Sequence, residues 1–171
     1  MKKIGFYFLF VVYVFVNSLY AQIVSVNIGI NGLTCSACSY GTERSIRKLD
    51  FVKDLQMDLN SKTAQIQLVP DVVVDFHALA QKVVDAGFSV RHVKAKINFN
   101  EGKFIDDFIY NSNNLTILFV DVSKDKLSGE REIVFLDKDF TSAKEYKKWK
   151  VKVTELRNKG KALENIYIAT F

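Results

Sequence analysis

Cys35 and Cys38, separated by Ser36 and Ala37, are the residues of this 171-residue sequence whose type and spacing most directly permit chemistry. A pair three residues apart can close a disulfide, cycle as a redox couple, or hold a metal ion between two thiolates. Two cysteines are too few for a disulfide framework or a four-thiolate zinc site. Two converging thiolates with no evident third ligand suit a soft ion that accepts two-coordination. Cu(I) is therefore favoured, Hg(II) and Ag(I) fit the same chemistry, and Zn(II) would need further ligands from elsewhere. The remaining candidates are weaker. His77 is expected on the exposed face of a helix and His92 on a strand between buried residues, both solvated and away from the cysteines. Met57 falls at core spacing and reads as a packing residue. No Ser-His-Asp set, glycine-rich phosphate loop or paired-carboxylate motif stands out, so the sequence gives no positive sign of an enzyme.

The elements around the pair follow from periodicity. Val24, Val26, Ile28 and Ile30 alternate with Ser25, Asn27 and Gly29, which predicts a half-buried strand ending at Asn31-Gly32. A polar helix from about Ser36 to Leu49 follows, with Cys38 in its first turn, where free N–H groups and the helix dipole favour a thiolate. Val52, Leu55, Met57 and Leu59 suggest a second strand, and Ala64, Ile66 and Leu68 a third, closed by Pro70. Asp75 is a natural N-cap for a helix to Ala86 with Phe76, Leu79, Ala80 and Val83 on its stripe; Gly87 ends it. Arg91, Val93, Ala95 and Ile97 alternate in a fourth strand. The order βαββαβ predicts an α+β, ferredoxin-like domain over residues 22–97, an antiparallel sheet of four strands with two helices on one face.

The run Gly32-Leu33-Thr34-Cys35-Ser36-Ala37-Cys38 leading into a helix resembles the Gly-Met-Thr-Cys-x-x-Cys signature of heavy-metal-associated domains, found in copper chaperones, copper-ATPase tails and periplasmic mercury-binding proteins. Asp85-Ala86-Gly87-Phe88 is similar to the family's second-helix ending, whose aromatic lies near the metal loop. The resemblance covers residues 23–97 and implies that Cys35 and Cys38 bind the metal. Leu33 replaces the usual Met, a swap that conserves volume. Gly41 within the first helix, Thr42 at a usually aliphatic position and Phe51 at a common Gly position depart from the pattern and bear on helix stability rather than on metal binding. The function implied is a Cu(I) chaperone or carrier that passes its ion by ligand exchange to a metal-accepting protein. The alternatives are a mercury scavenger and a thiol–disulfide oxidoreductase.

The chain is 49% hydrophobic and 25% charged with a net charge of +5, which excludes a disordered tail and is too weak for a nucleic-acid partner. Lys2 and Lys3 precede an apolar run from Ile4 to Val16 that is too short to span a bilayer, and Ala21 closes a segment that reads as a secretory signal peptide over residues 1–21. Export to the periplasm or beyond is the expectation, with membrane association only if the leader is uncleaved. Residues 98–171 lie outside the resemblance. Strands at 115–122, 132–136 and 165–171, a turn at 125–129, and a helix introduced by Asp139-Phe140-Thr141-Ser142 and running to about Asn158 predict a second small α+β domain, pictured as a partly open β-barrel with one helix. The lysines of that helix read as a solvated face, because acids are interleaved with them.

Overall fold

A computed structural model describes the protein from Ile23 to Phe171, except for residues 71, 102, 107, 113–114, 124–126 and 160–164. The expected signal peptide and part of the turn at 125–129 lie outside the described residues. The first half contains β1 (Ile23–Asn31), α1 (Ser36–Ile46), β2 (Val52–Asp58), β3 (Thr63–Leu68), α2 (Phe76–Asp85) and β4 (Ser89–Asn98). A short 3-10 turn (Phe99–Glu101) leads into β5 (Lys103–Asp106), β6 (Ile109–Ser112), β7 (Leu115–Phe119), β8 (Glu130–Phe135), α3 (Ala143–Lys159) and β9 (Ile166–Thr170).

The first four strands pair in the order β2-β3-β1-β4, all antiparallel, as the βαββαβ pattern requires. Val26 stands between Ile66 and Ala95, so three strands offer apolar residues on one face. Ile46 of α1 and Phe76, Leu79 and Val83 of α2 close over them in the main core. Two details differ from the alternation. Val24 is exposed, because the register shifts between Ile23 and Ser25 and Ile23 packs on the core instead. Leu59 lies past the end of β2 and is also exposed.

The second half is not a barrel. β4 pairs antiparallel with β8, Ala95 facing Ile133, and the strands run on as one open sheet of nine, β2-β3-β1-β4-β8-β9-β7-β6-β5. The boundary expected after residue 97 falls near the end of β4, and the strands beyond it extend the sheet rather than close on themselves. The core is shared as well. Phe76 of α2 lies 4.5 Å from Phe135 and 5.1 Å from Tyr167, ring centre to ring centre. A barrel of β5 to β9 would need β5 to pair with β8, but both edges of β8 are taken, one by β4 and the other by β9. Past β8 the chain returns to the same edge: Val93 N–H donates to Phe140 O at 2.9 Å and Ser142 N–H to Arg91 O at 3.1 Å. The helix α3 then covers the opposite sheet face, where Tyr146, Trp149, Val153 and Leu156 pack on Leu118, Val120, Leu136 and Ile168.

Candidate metal centre

The loop between β1 and α1 is built to present the two cysteines. Gly32 turns the chain with φ +87°, a conformation that a side chain would strain, and the Phe88 ring lies against it. Leu33 is fully buried beneath the loop, so the replacement for Met serves as an apolar prop. Thr34 and Cys35 are exposed, while Cys38 is half-buried and packs on the main core. Cys35 is itself the N-cap of α1, in an extended conformation, and its Sγ accepts from the Cys38 N–H at 3.1 Å. Its carbonyl accepts from Ser39 N–H at 3.0 Å, the first bond of the helix. The first turn of α1 contains no carboxylate, so no acid opposes a negative charge there.

The two sulfurs are joined in a disulfide, with Cα atoms 5.2 Å apart. The structure thus brings the predicted pair together at one point of the surface, in the oxidised form. Among the described residues no group of three or more His, Cys, Asp or Glu side chains could hold a metal ion, so a soft cargo ion would have the two thiolates as its side-chain ligands once the bond is reduced.

The histidines have other partners. His77 is exposed, with its Nδ1 3.3 Å from Asp139 Oδ2, and leans on Phe140 and Tyr167. His92 is half-buried rather than solvated: its Nε2 lies 3.0 Å from Asn27 Oδ1, and its ring covers Gly29. Asn27 Nδ2 in turn donates to Gln65 Oε1, which makes Oδ1 the acceptor and the His92 Nε2 the donor. Burial holds the His92 pKa below its ordinary value, and Arg91 and Lys94 add to the effect. Met57 is partly buried against the core, in keeping with a packing role.

Sequence reasoning missed the capping role of Cys35, although its position immediately before Ser36 was the available signal. The Gly29–His92 contact was also missed, and only the pairing of β1 with β4 could have revealed it.

Residues 28–89 match the family model described as the heavy-metal-associated domain. This segment is a heavy-metal-associated domain. Over 67 residues the chain is 33% identical to the probable copper-transporting ATPase HMA5 of Arabidopsis thaliana, a match covering 39% of this chain and 7% of that one. A copper-transporting ATPase of Helicobacter pylori is 47% identical over 38 residues, 22% of this chain and 5% of its own length. The chain therefore spans a small part of these relatives. Among solved structures, oxidized MerP from Ralstonia metallidurans CH34 is 26% identical, with 40% of this chain and 96% of that chain covered and a TM-score of 0.36. The matched residues take in β1 from Ile28 onward, all of β2 and β3 and the first residue of β4, and the rest of β4 with β5 to β9 continues the nine-stranded sheet past them.

Proposed function

We propose that the protein is an exported carrier of a soft metal ion, Cu(I) in the first place, held by Cys35 and Cys38 and handed on by ligand exchange. The observation that carries this reading is the converging cysteine pair at the exposed start of α1 within a heavy-metal-associated domain. The copper-transporting ATPases among the relatives favour copper over mercury. Reduction of the disulfide by a dithiol is the step that precedes loading: two electrons enter the S–S bond, the reductant closes its own disulfide, and two thiols are released. Both deprotonate on binding the ion, which stays Cu(I) throughout. The more exposed Cys35 is the sulfur that an incoming thiolate of an acceptor protein displaces first, while Cys38 stays anchored on the core. The leader over residues 1–21 belongs to this reading as the export signal.

The test is titration of the reduced chain with Cu(I) against a competing chelator, with Hg(II) and Ag(I) in parallel. A one-to-one complex that disappears in the Cys35→Ser/Cys38→Ser variant is expected. Failure to outcompete the chelator, or unchanged binding by the variant, removes the reading.

The disulfide itself favours one second reading, a thiol–disulfide oxidoreductase in which Cys35–Cys38 accepts two electrons from a substrate dithiol. Turnover in an insulin-reduction assay would support it, and an inactive protein that binds Cu(I) tightly would dismiss it.

A further inference from the structure

The N-terminal half of α3 is charged against its own dipole. The helix carries seven basic and two acidic side chains, and Lys144, Lys147, Lys148 and Lys150 all lie in its first two turns, with Glu145 as the acid of the first turn. Cations near a helix N-terminus oppose the partial positive charge there, and Lys144 and Lys148, four apart, repel each other in addition. The C-terminal half is compensated: Lys152 pairs with Asp121, Arg157 with the buried Asp137, and Lys159 with Glu155. In the N-terminal half Lys148 pairs with Glu145 at 2.8 Å, whereas Lys144, Lys147 and Lys150 make no ion pair among the described residues.

The surplus is concentrated on one surface. Tyr146, Trp149, Val153 and Leu156 hold α3 to the sheet, and the residue diametrically opposite that stripe is Val151, which is 79% exposed. Lys144, Lys147 and Lys148 precede it by seven, four and three residues, so three ammonium groups border an apolar residue on the outermost face of the helix. The near balance of acids and bases over residues 98–171 conceals this clustering.

Glu145, beside Lys144 and paired with Lys148, is the single acid set against Lys144, Lys147, Lys148 and Lys150, and an arrangement that costs folding stability and is compensated only in part inside the fold points to further compensation from outside. We propose that this face of α3 docks on an anionic lipid surface, with Lys144, Lys147 and Lys148 at the headgroups and Val151 in the interfacial layer. A bilayer favours itself over an acidic protein because it offers negative charge and, directly beneath, an apolar layer for an isolated Val, and it requires no shaped cavity. Association is peripheral: among the described residues no helix is long and apolar enough to cross a membrane. The surface uses neither cysteine, so it stands or falls separately from metal binding.

The experiment is sedimentation of the chain starting at Gln22, which contains every described element, with vesicles of phosphatidylcholine alone or mixed with phosphatidylglycerol. Binding to the mixed vesicles alone is expected, weakening as salt is raised. The variant K144E/K147E/K148E should lose roughly tenfold or more in partitioning with an unchanged circular dichroism spectrum. If that variant does not fold, K144Q/K147Q/K148Q replaces it, with a loss in the same direction. Equal binding to both vesicle types, no binding to either, or full binding by a folded variant would overturn the proposal. So would retention on immobilised polyglutamate without vesicle binding, which would assign the face to an acidic protein.

Discussion

The Thr42 hydroxyl donates a hydrogen bond to the Cys38 carbonyl at 3.0 Å, one helical turn back. Thr42 is fully buried on the inner face of α1, where an aliphatic residue would ordinarily sit. The back-bond satisfies the hydroxyl without any partner outside the helix, so a polar side chain is accommodated directly behind the metal loop. The carbonyl retains its helical N–H partner whether or not the hydroxyl is present. Thr42→Val should therefore change stability by no more than about 1 kcal/mol, because it removes a satisfied group and buries a methyl. Thr42→Ala, which also leaves a void, should cost about 1–2 kcal/mol. Urea denaturation of both variants checks the difference, and a large loss in Thr42→Val would show that the hydroxyl does more than satisfy itself.

Gly41 lies next to Thr42 on the outer face of α1. A Cβ placed there meets nothing within 4 Å. Since glycine inside a helix loses more backbone freedom on folding than alanine, Gly41→Ala should stabilise the protein by about 0.5–1 kcal/mol. A higher denaturation midpoint with an unchanged slope is the expected outcome, and no shift would mean that α1 is held by its packing alone.

Gly29 is the opposite case. A Cβ there would come within 2.5 Å of His92 Cε1, so the imidazole must move and give up its bond to Asn27. Gly29→Ala should cost about 1–3 kcal/mol. His92→Ala removes the obstacle, and the double variant should be distinctly more stable than the sum of the two single losses predicts. Additive losses in that cycle would show that the clash is absorbed elsewhere.

The parts of the fold that were legible in the sequence are those with a local cause. Val26, Ile28 and Ile30 alternate, Asp75 caps α2 by accepting from Ala78 N–H, and the apolar stripe of α3 from Tyr146 to Leu156 packs as its spacing implies. The cysteine loop was legible for the same reason, since its glycine, prop and first turn are contiguous. The join between β4 and β8 was not, because Ala95 and Ile133 are distant in sequence and either strand alone could pair with many others. The hairpin of β5 and β6 was obscured by its brevity: four residues per strand give too little alternation to distinguish it from a loop.

Asp137 shows how the second half is secured. It is almost fully buried, ion-paired with Arg157 of α3, and it accepts from the Ile168 N–H of β9 at 3.1 Å. Asp137→Ala would leave a buried N–H and a guanidinium without their acceptor. A loss of about 2–4 kcal/mol is expected. Hydrogen exchange should speed up first at Ile168 and along α3; uniform loosening across the sheet would contradict a local role.

His92 ties stability to pH. Its pKa is lowered from an ordinary value near 6.5, by burial first and then by Arg91 and Lys94, with Glu132 acting the other way. At mildly acidic pH the unfolded chain therefore binds a proton that the folded protein refuses. The contribution of the neutral ring is complete above the unfolded value and is lost as pH falls through it toward the folded one, so stability rises with pH across that window. His92→Gln keeps a donor for Asn27 and removes the titration. Denaturation at about pH 7.5 and about pH 5 should show the native protein losing more stability between the two than the variant does. Equal losses would mean that the ring protonates as readily in the sheet as in the unfolded chain, and that its bond to Asn27 survives the change.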